Sequence, residues 1–365
     1  MTLIKAERLV TRDGVHEPGF VRIEGDRIVE VGPDLPGTPD HEVGTLAPGL
    51  VDVHCHGGGG ASFGSDAPTA IRTHRAAGTT SLVASTVTES IDDLEQQVRN
   101  LAPLVEQGEL AGVHLEGPWL AEEFKGAHPA ELLRDPAPED MTRILEAGRD
   151  TVRMVTLAPE REGGIDAVSL LVDLGVVAAV GHTAATYEQV AEALAAGASG
   201  ATHLFNAMKP IHHRAPGPIM ALMGDSGAWL EIVADGHHLH PEVVRYVAST
   251  YPGRVVLITD AMAAAGAPDG SYVLGQLHVT VTEGVARISG TDTIAGSTLT
   301  LAKALQNAIA YGVEWTTAIA AATWNPAAYL GLDEVGDLAA GLRADAVELA
   351  DDWSVTRVLH RGEWL

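Results

Sequence analysis

Eight short apolar runs recur through the middle of the chain, near residues 50–56, 80–86, 111–117, 152–158, 176–182, 199–205, 229–235 and 254–260. The segments between them place apolar residues at three-to-four spacing. Examples are IDDLEQQVRNLAPLVEQG, PEDMTRILEAGRD, TYEQVAEALAAG and HPEVVRYVASTYPG, which read as amphipathic helices. A strand that is apolar along its whole length is buried on both faces, so the alternation predicts a parallel sheet covered by helices. Eight strands close a (β/α)8 TIM-like barrel, with a doubly wound open sheet as the competing architecture. The chain ends look different. FVRIEGDRIVEVG (20–32) reads as a hairpin about a Glu-Gly-Asp turn, and AVELADDWSVTRVLHRGEWL (346–365) has the same strand character. YVLGQLHVTVTEGVARISG (272–290) adds a hairpin after the eighth run, and helices roughly over 298–312 and 314–331 follow. A chain of 365 residues exceeds one small core. The organisation expected is a small β-sandwich from residues 1–48 plus 335–365 and a barrel from 49–334.

Composition narrows the class. A 46% hydrophobic content and a mean hydropathy of +0.10 suit a packed, water-soluble protein. With 23 basic against 49 acidic residues the net charge is −26, which excludes the basic stripe that nucleic acid or an anionic membrane surface requires. No 18-residue apolar run exists, and MTLIKAERLVTRDG lacks a basic segment followed by an apolar one, so a cytoplasmic, membrane-free location is expected. Cys55 is the only cysteine and cannot form an intramolecular disulfide.

Residue types that bind metal stand at the ends of the apolar runs. His54 and His56 end the first, Glu116 the third, His182 the fifth, His203 the sixth and Asp260 the eighth. In a parallel barrel all strands open at their C-terminal ends onto one face, where active sites are built. Six candidate ligands from five strands would therefore meet at one mouth. Alternation along a strand points His54 and His56 the same way and turns Cys55 towards the surrounding helices, as an inert small hydrophobe. Imidazole and carboxylate suit Zn or Fe, and a bound cation lowers the pKa of water towards about 7. Each residue alone has a plainer reading, as a satisfied core histidine or a helix cap, but six separate caps at five strand ends do not account for the pattern. His114 lies deeper on the same side as Glu116 and reads as structural. The histidines of DGHHLH (235–240) and of KPIHHR (209–214) outnumber what one site needs, and most belong to the surface or to the support of the site.

These residues sit in segments spread from end to end: LAPGLVDVHCHG, GVHLEGPWL with KGAH after it, GHTAATYEQV, ATHLFNAMKPIHHRAPG, VADGHHLHPE, LITDAM, GTDTIAGSTLTL and ATWNPAAYLGL. Through them the chain resembles the amidohydrolase superfamily and, within it, the deacetylases of amino-sugar phosphates. The resemblance implies a barrel with a terminal β-sandwich, a homodimer, and one or two divalent ions per subunit. Glu116, His182 and His203 match the principal ligands. His54 and His56 match positions where two histidines accompany a second metal. VRMVTLAPE offers no lysine for a carbamylated bridge, so Glu116 takes that place. By the same resemblance Asp260 is the general base and acid, and His128 helps to polarise the substrate carbonyl. Ala127, Asn206, Ala207, Ile294, Ala295 and Gly296 contact the sugar. Arg214 and His238 bind the phosphate, with Asp235 beside them. The expected reaction is hydrolysis of N-acetyl-D-glucosamine 6-phosphate to D-glucosamine 6-phosphate and acetate. The alternatives are the galactosamine epimer and a non-phosphorylated N-acyl substrate, and a retired barrel acting as a sugar-phosphate sensor is the non-enzymatic reading. Residues 209–213 and Phe124–Lys125 depart from the family pattern where preference among sugars could be set. The acidic surface does not oppose an anionic substrate, because divalent cations and Arg214 act locally.

Overall fold

The structure, a computed structural model, describes residues 1–34 and 36–365. Eight parallel strands run β1 (Leu50–Cys55), β2 (Thr79–Thr86), β3 (Gly112–Glu116), β4 (Val152–Leu157), β5 (Val177–Val180), β6 (Gly200–Ala201), β7 (Trp229–Val233) and β8 (Val255–Ile258), each hydrogen-bonded to the next. Every residue of β1, β2, β3 and β8 is buried, and the polar residues among them, Asp52, His54, His114, Glu116 and the Ser and Thr of β2, are buried with the apolar ones. The seam between β8 and β1 closes beyond the regular ladder. Asp260 N donates to His54 O at 2.9 Å, His56 N donates to Ala261 O at 2.7 Å, and the buried Asp52 carboxylate accepts from Thr259 Oγ1 at 2.6 Å. The result is a (β/α)8 barrel, and the open-sheet alternative falls away.

The outer layer comprises α1 (Phe63–Ala76), α2 (Ile91–Glu106), α3 (Pro138–Gly148), α4 (Gly164–Asp173), α5 (Tyr187–Ala195), α6 (Gly217–Gly224), α7 (Pro241–Thr250), α8 (Leu301–Ala310), α9 (Trp315–Ala322) and α10 (Trp324–Tyr329). The long helix expected over 314–331 is two, because Thr323 leaves helical geometry at φ −134°, ψ −88°. The hairpin expected over 272–290 is a three-stranded antiparallel meander, Gly270–Leu274, Leu277–Thr282 and Val285–Ile288. Its own apolar cluster includes Met262, Leu274, Val279 and Ala295.

Both chain ends join one further eight-stranded sheet. Its order is Glu363–Trp364, Val355–His360, Ala346–Leu349, His41–Pro48, Thr2–Thr11, Gly19–Glu24 and Arg27–Gly32, with Gly14–His16 paired to Thr2–Thr11. Ile4, Leu9, Ile23, Leu46, Leu338 and Leu359 form a core here separate from that of the barrel. Asp345 fastens this small sandwich to the N-terminal ends of β1 and β2. It is 3% exposed and accepts from Arg361 N at 2.8 Å and Arg343 Nε at 2.5 Å, while Arg343 Nη2 donates to Thr80 O and Ser81 Oγ. Burial pushes the Asp345 carboxyl up, but the hydrogen bond from His360 and the Arg343 charge outweigh it and leave its pKa below the ordinary 3.8. A depressed carboxylate adds stability that is full above the unfolded pKa and disappears as pH falls through the folded one. Asp345→Asn is therefore expected to cost about 3 kcal/mol at neutral pH, since it leaves Arg343 without its partner. Melting curves should show the two proteins converging below about pH 4; a constant gap down to pH 2 would refute the linkage.

Candidate active site

The ligand-type residues predicted at strand ends do come together at the C-terminal mouth of the barrel. Glu116 ends β3, and His54 lies in β1 with His56 just beyond it. His182, His203 and Asp260 each stand two residues past their strands, in left-handed backbone conformations with φ of +47°, +30° and +48°. Those conformations cut the fifth, sixth and eighth strands shorter than their apolar runs. They cost energy for residues with a Cβ and persist only where the surroundings hold them. The glycines after His56 have a local cause. Gly57–Gly58 pairs with Ala61–Ser62, and a Cβ on Gly57 or Gly58 would sit 2.3 Å from Ala61 O or 2.8 Å from His74 Nε2.

Glu116 is the centre, and its two oxygens face different partners. Oε1 lies 3.1 Å from His182 Nε2 and 2.9 Å from His203 Nε2, which are 3.0 Å from each other. Oε2 lies 3.2 Å from His56 Nε2 and 3.6 Å from His54 Nε2, themselves 3.1 Å apart. Asp260 Oδ1 closes the second group, 3.3 Å from His56 Nε2. All six residues are at most 7% exposed. Burial pushes the Glu116 carboxyl up, but the His54 charge and hydrogen bonds from His128, His182 and His203 hold it well below the usual range. Asp260 is likewise held at about 2 against burial, by the His56 hydrogen bond and the charges of His54 and His56. Burial lowers the His54 pKa, yet the Glu116 and Glu231 carboxylates carry it well above 6.5.

The donor set fits a divalent cation. Ligand atoms about 2.0–2.2 Å from a common ion lie roughly 3.0–3.5 Å apart; the first group spans 2.9–3.1 Å and the second 3.1–3.6 Å. The outer ring nitrogens set the tautomers. His54 Nδ1 faces Glu231 Oε2 at 3.1 Å and His182 Nδ1 faces Phe124 O at 2.9 Å, so each presents a free Nε2 lone pair to the centre. His114 supports the floor as predicted: Ser85 Oγ lies 2.9 Å from Nδ1 and Thr156 Oγ1 2.8 Å from Nε2. Burial, then the His54 charge, pushes its pKa well below 6.5. Cys55 turns away, fully buried, with Sγ 3.3 Å from His74 Nε2 and its thiol pKa pushed well up by burial.

A cavity of about 310 Å³ opens over this centre. Of the residues predicted to contact substrate, Ala127, His128, Asn206, Ala207, His238, Ile294 and Gly296 line it. His128 Nδ1 accepts from Thr88 N at 3.3 Å, so Nε2 carries the proton and points at the centre, 3.6 Å from Glu116 Oε2. His238 hydrogen-bonds Asp235 at 2.7 Å and reaches towards Asp260 Oδ2 at 3.7 Å, so Asp235 orients His238 from behind. Two expected contacts fall elsewhere. Ala295 is fully buried in the cluster beneath the meander, and Arg214 stands in the exposed 210–215 loop with Nη1 2.6 Å from His213 Nε2. His212, His213, His237 and His240 are exposed, as expected of the surplus histidines. Sequence reasoning missed Glu123, Leu274 and Thr293 in the cavity wall, and Glu231 behind His54. Only Glu231 left a readable signal, a carboxylate inside an apolar strand.

A family model described as "Amidohydrolase family" matches residues 45–365. The chain belongs to the amidohydrolase family. Among solved amidohydrolase structures it is similar to N-acetyl-D-glucosamine-6-phosphate deacetylase from Mycobacterium smegmatis, solved as an aspartate-to-alanine variant in complex with N-acetyl-D-glucosamine-6-phosphate. The two share 48% identity over 100% of this chain and 98% of that one, with a TM-score of 0.97. It is also 36% identical to N-acetylgalactosamine-6-phosphate deacetylase of Escherichia coli O157:H7, over 99% of this chain and 98% of that protein. N-acetylglucosamine-6-phosphate deacetylase of Vibrio furnissii is 37% identical over 87% of this chain and 82% of that protein. No helix among the described residues is long and apolar enough to cross a membrane.

Proposed function

We propose that this amidohydrolase hydrolyses N-acetyl-D-glucosamine 6-phosphate to D-glucosamine 6-phosphate and acetate. The observation that carries the reading is Glu116, whose two oxygens each face a histidine pair beneath a sugar-sized cavity. The Mycobacterium smegmatis relative, similar over the whole length, supplies the substrate. His54, His56, Glu116, His182, His203 and the Oδ1 of Asp260 would hold one or two ions, zinc or iron. A bound cation supplies Lewis acidity, which polarises a carbonyl and eases loss of a proton from water. Asp260, ionised at neutral pH, takes that proton on a carboxylate oxygen as the new C–O bond forms. It then delivers the proton to the amide nitrogen as the C–N bond breaks, so the amine leaves neutral. His128 presents Nε2–H to the acetamide oxygen, where negative charge develops. Asn206, Ala207, Ile294 and Gly296 confine the sugar, and His238, held by Asp235, lines the same cavity beside Asp260 and meets the phosphate. Arg214, on the exposed 210–215 loop, would supply the positive charge for the phosphate. A cytoplasmic homodimer completes the reading, with sedimentation as the test of its assembly.

Acetate release should be measured from N-acetylglucosamine 6-phosphate, its galactosamine epimer and the unphosphorylated sugar. A preference for the first confirms the proposal. Equal or faster turnover of the epimer would move the assignment towards the Escherichia coli relative, and no turnover by zinc- or iron-loaded protein would refute it. Arg214→Ala is expected to raise KM for the phosphorylated substrate about 10- to 100-fold and to leave the unphosphorylated sugar unchanged. An unchanged KM would remove Arg214 from the site.

A further inference from the structure

Glu231 interrupts the apolar strand β7, Trp-Leu-Glu-Ile-Val, and is fully buried. A buried carboxylate is retained against an apolar residue only where its hydrogen bonds are worth its desolvation. Two polar contacts fall on its Oε2, and the buried Tyr329 hydroxyl faces the same carboxylate; burial, then that carboxylate, pushes the Tyr329 pKa well up. Oε2 lies 3.1 Å from His54 Nδ1 and 3.3 Å from the backbone nitrogen of His203. His54 belongs to the histidine pair on one side of Glu116, and His203 to the pair on the other. The main chain adds a third tie, with Leu204 N donating to Glu231 O at 2.8 Å. Residue 231 thus grips the turn in which His203 sits at φ +30°, a conformation that needs holding.

We propose that Glu231 is a positioning residue that couples the two halves of the metal centre. Its Oε2 fixes the His54 tautomer with Nε2 free for a cation, and the same atom pins the His203 turn. This rests on the metal-dependent reading above. A cation drawing on His54 Nε2 makes Nδ1–H a stronger donor. That orders Glu231, and through it the ligand on the other side.

The experiment compares wild type, Glu231→Gln and Glu231→Leu by zinc titration calorimetry and by thermal melting of the chelator-treated protein. Glu231→Leu is expected to weaken zinc binding about 10- to 100-fold, with Glu231→Gln intermediate because its amide oxygen still accepts one hydrogen bond. The chelated Glu231→Gln protein should melt close to wild type, because its amide oxygen still accepts, whereas chelated Glu231→Leu should melt lower because His54 Nδ1 and His203 N lose their acceptor. Wild-type zinc affinity in Glu231→Leu would overturn the proposal. So would an affinity loss in Glu231→Gln matched by a melting loss of its chelated form, which marks a structural residue. A wild-type chain that takes up no zinc or iron would instead sink the metal-dependent reading, and this inference with it.

Discussion

Asp260→Asn is expected to lower kcat about 10³- to 10⁴-fold, the scale of a lost general base that also serves as the acid. KM should move little. Asparagine keeps the shape and can still face His56 through its amide oxygen, but it can neither accept nor return a proton. The pH profile refines the test. With its pKa held at about 2, Asp260 stays ionised through the assay range and cannot itself cause an acid limb near pH 5–6. The histidines can. His54 and His56 have pKa values raised by the carboxylates around them, so protons compete for their Nε2 lone pairs as pH falls. Activity and bound metal should therefore decline together on the acid side. An acid limb with metal fully retained would contradict this account, and a kcat loss under about tenfold in Asp260→Asn would remove Asp260 from proton transfer.

The parts of this site that were legible in the sequence are those governed by strand geometry. Alternation placed His54 and His56 on one side and Cys55 on the other, and the rule that barrel strands open on one face gathered Glu116, His182, His203 and Asp260 with them. The parts that stayed hidden depend on how loops fold over the mouth. His182, His203 and Asp260 leave their strands through left-handed turns, which no apolar run announces. Arg214 follows a motif that implies phosphate contact, yet it stands in the exposed 210–215 loop against His213 and does not line the cavity. Ala295 and Gly296 are neighbours in one predicted segment, but one faces the apolar cluster and the other the cavity. Glu123, Leu274 and Thr293 meet there only because the 121–128 loop and the meander converge from positions about 150 residues apart. Such proximity is a product of closure, and neither periodicity nor spacing encodes it.

Glu116→Gln should be the most damaging substitution in the protein, with loss of metal and a fall in kcat of about 10³-fold or more. The reason lies in the two-sidedness of the carboxylate. Its oxygens face separate histidine pairs, and an amide can offer an oxygen to only one of them while turning two N–H donors to the other. Glu116→Asp keeps the charge but shortens the arm by one methylene, so its oxygens cannot reach both pairs from the end of β3. Elemental analysis should find both variants short of metal, with Glu116→Gln the poorer because it also loses the charge. Without metal, the same change strips the charged His54 of a counter-charge that holds its pKa up, so that pKa should fall. Full metal content in Glu116→Gln with more than about a tenth of wild-type activity would show that no ion depends on both oxygens at once. The His54–His56 pair and the His182–His203 pair would then have to be treated as independent sites.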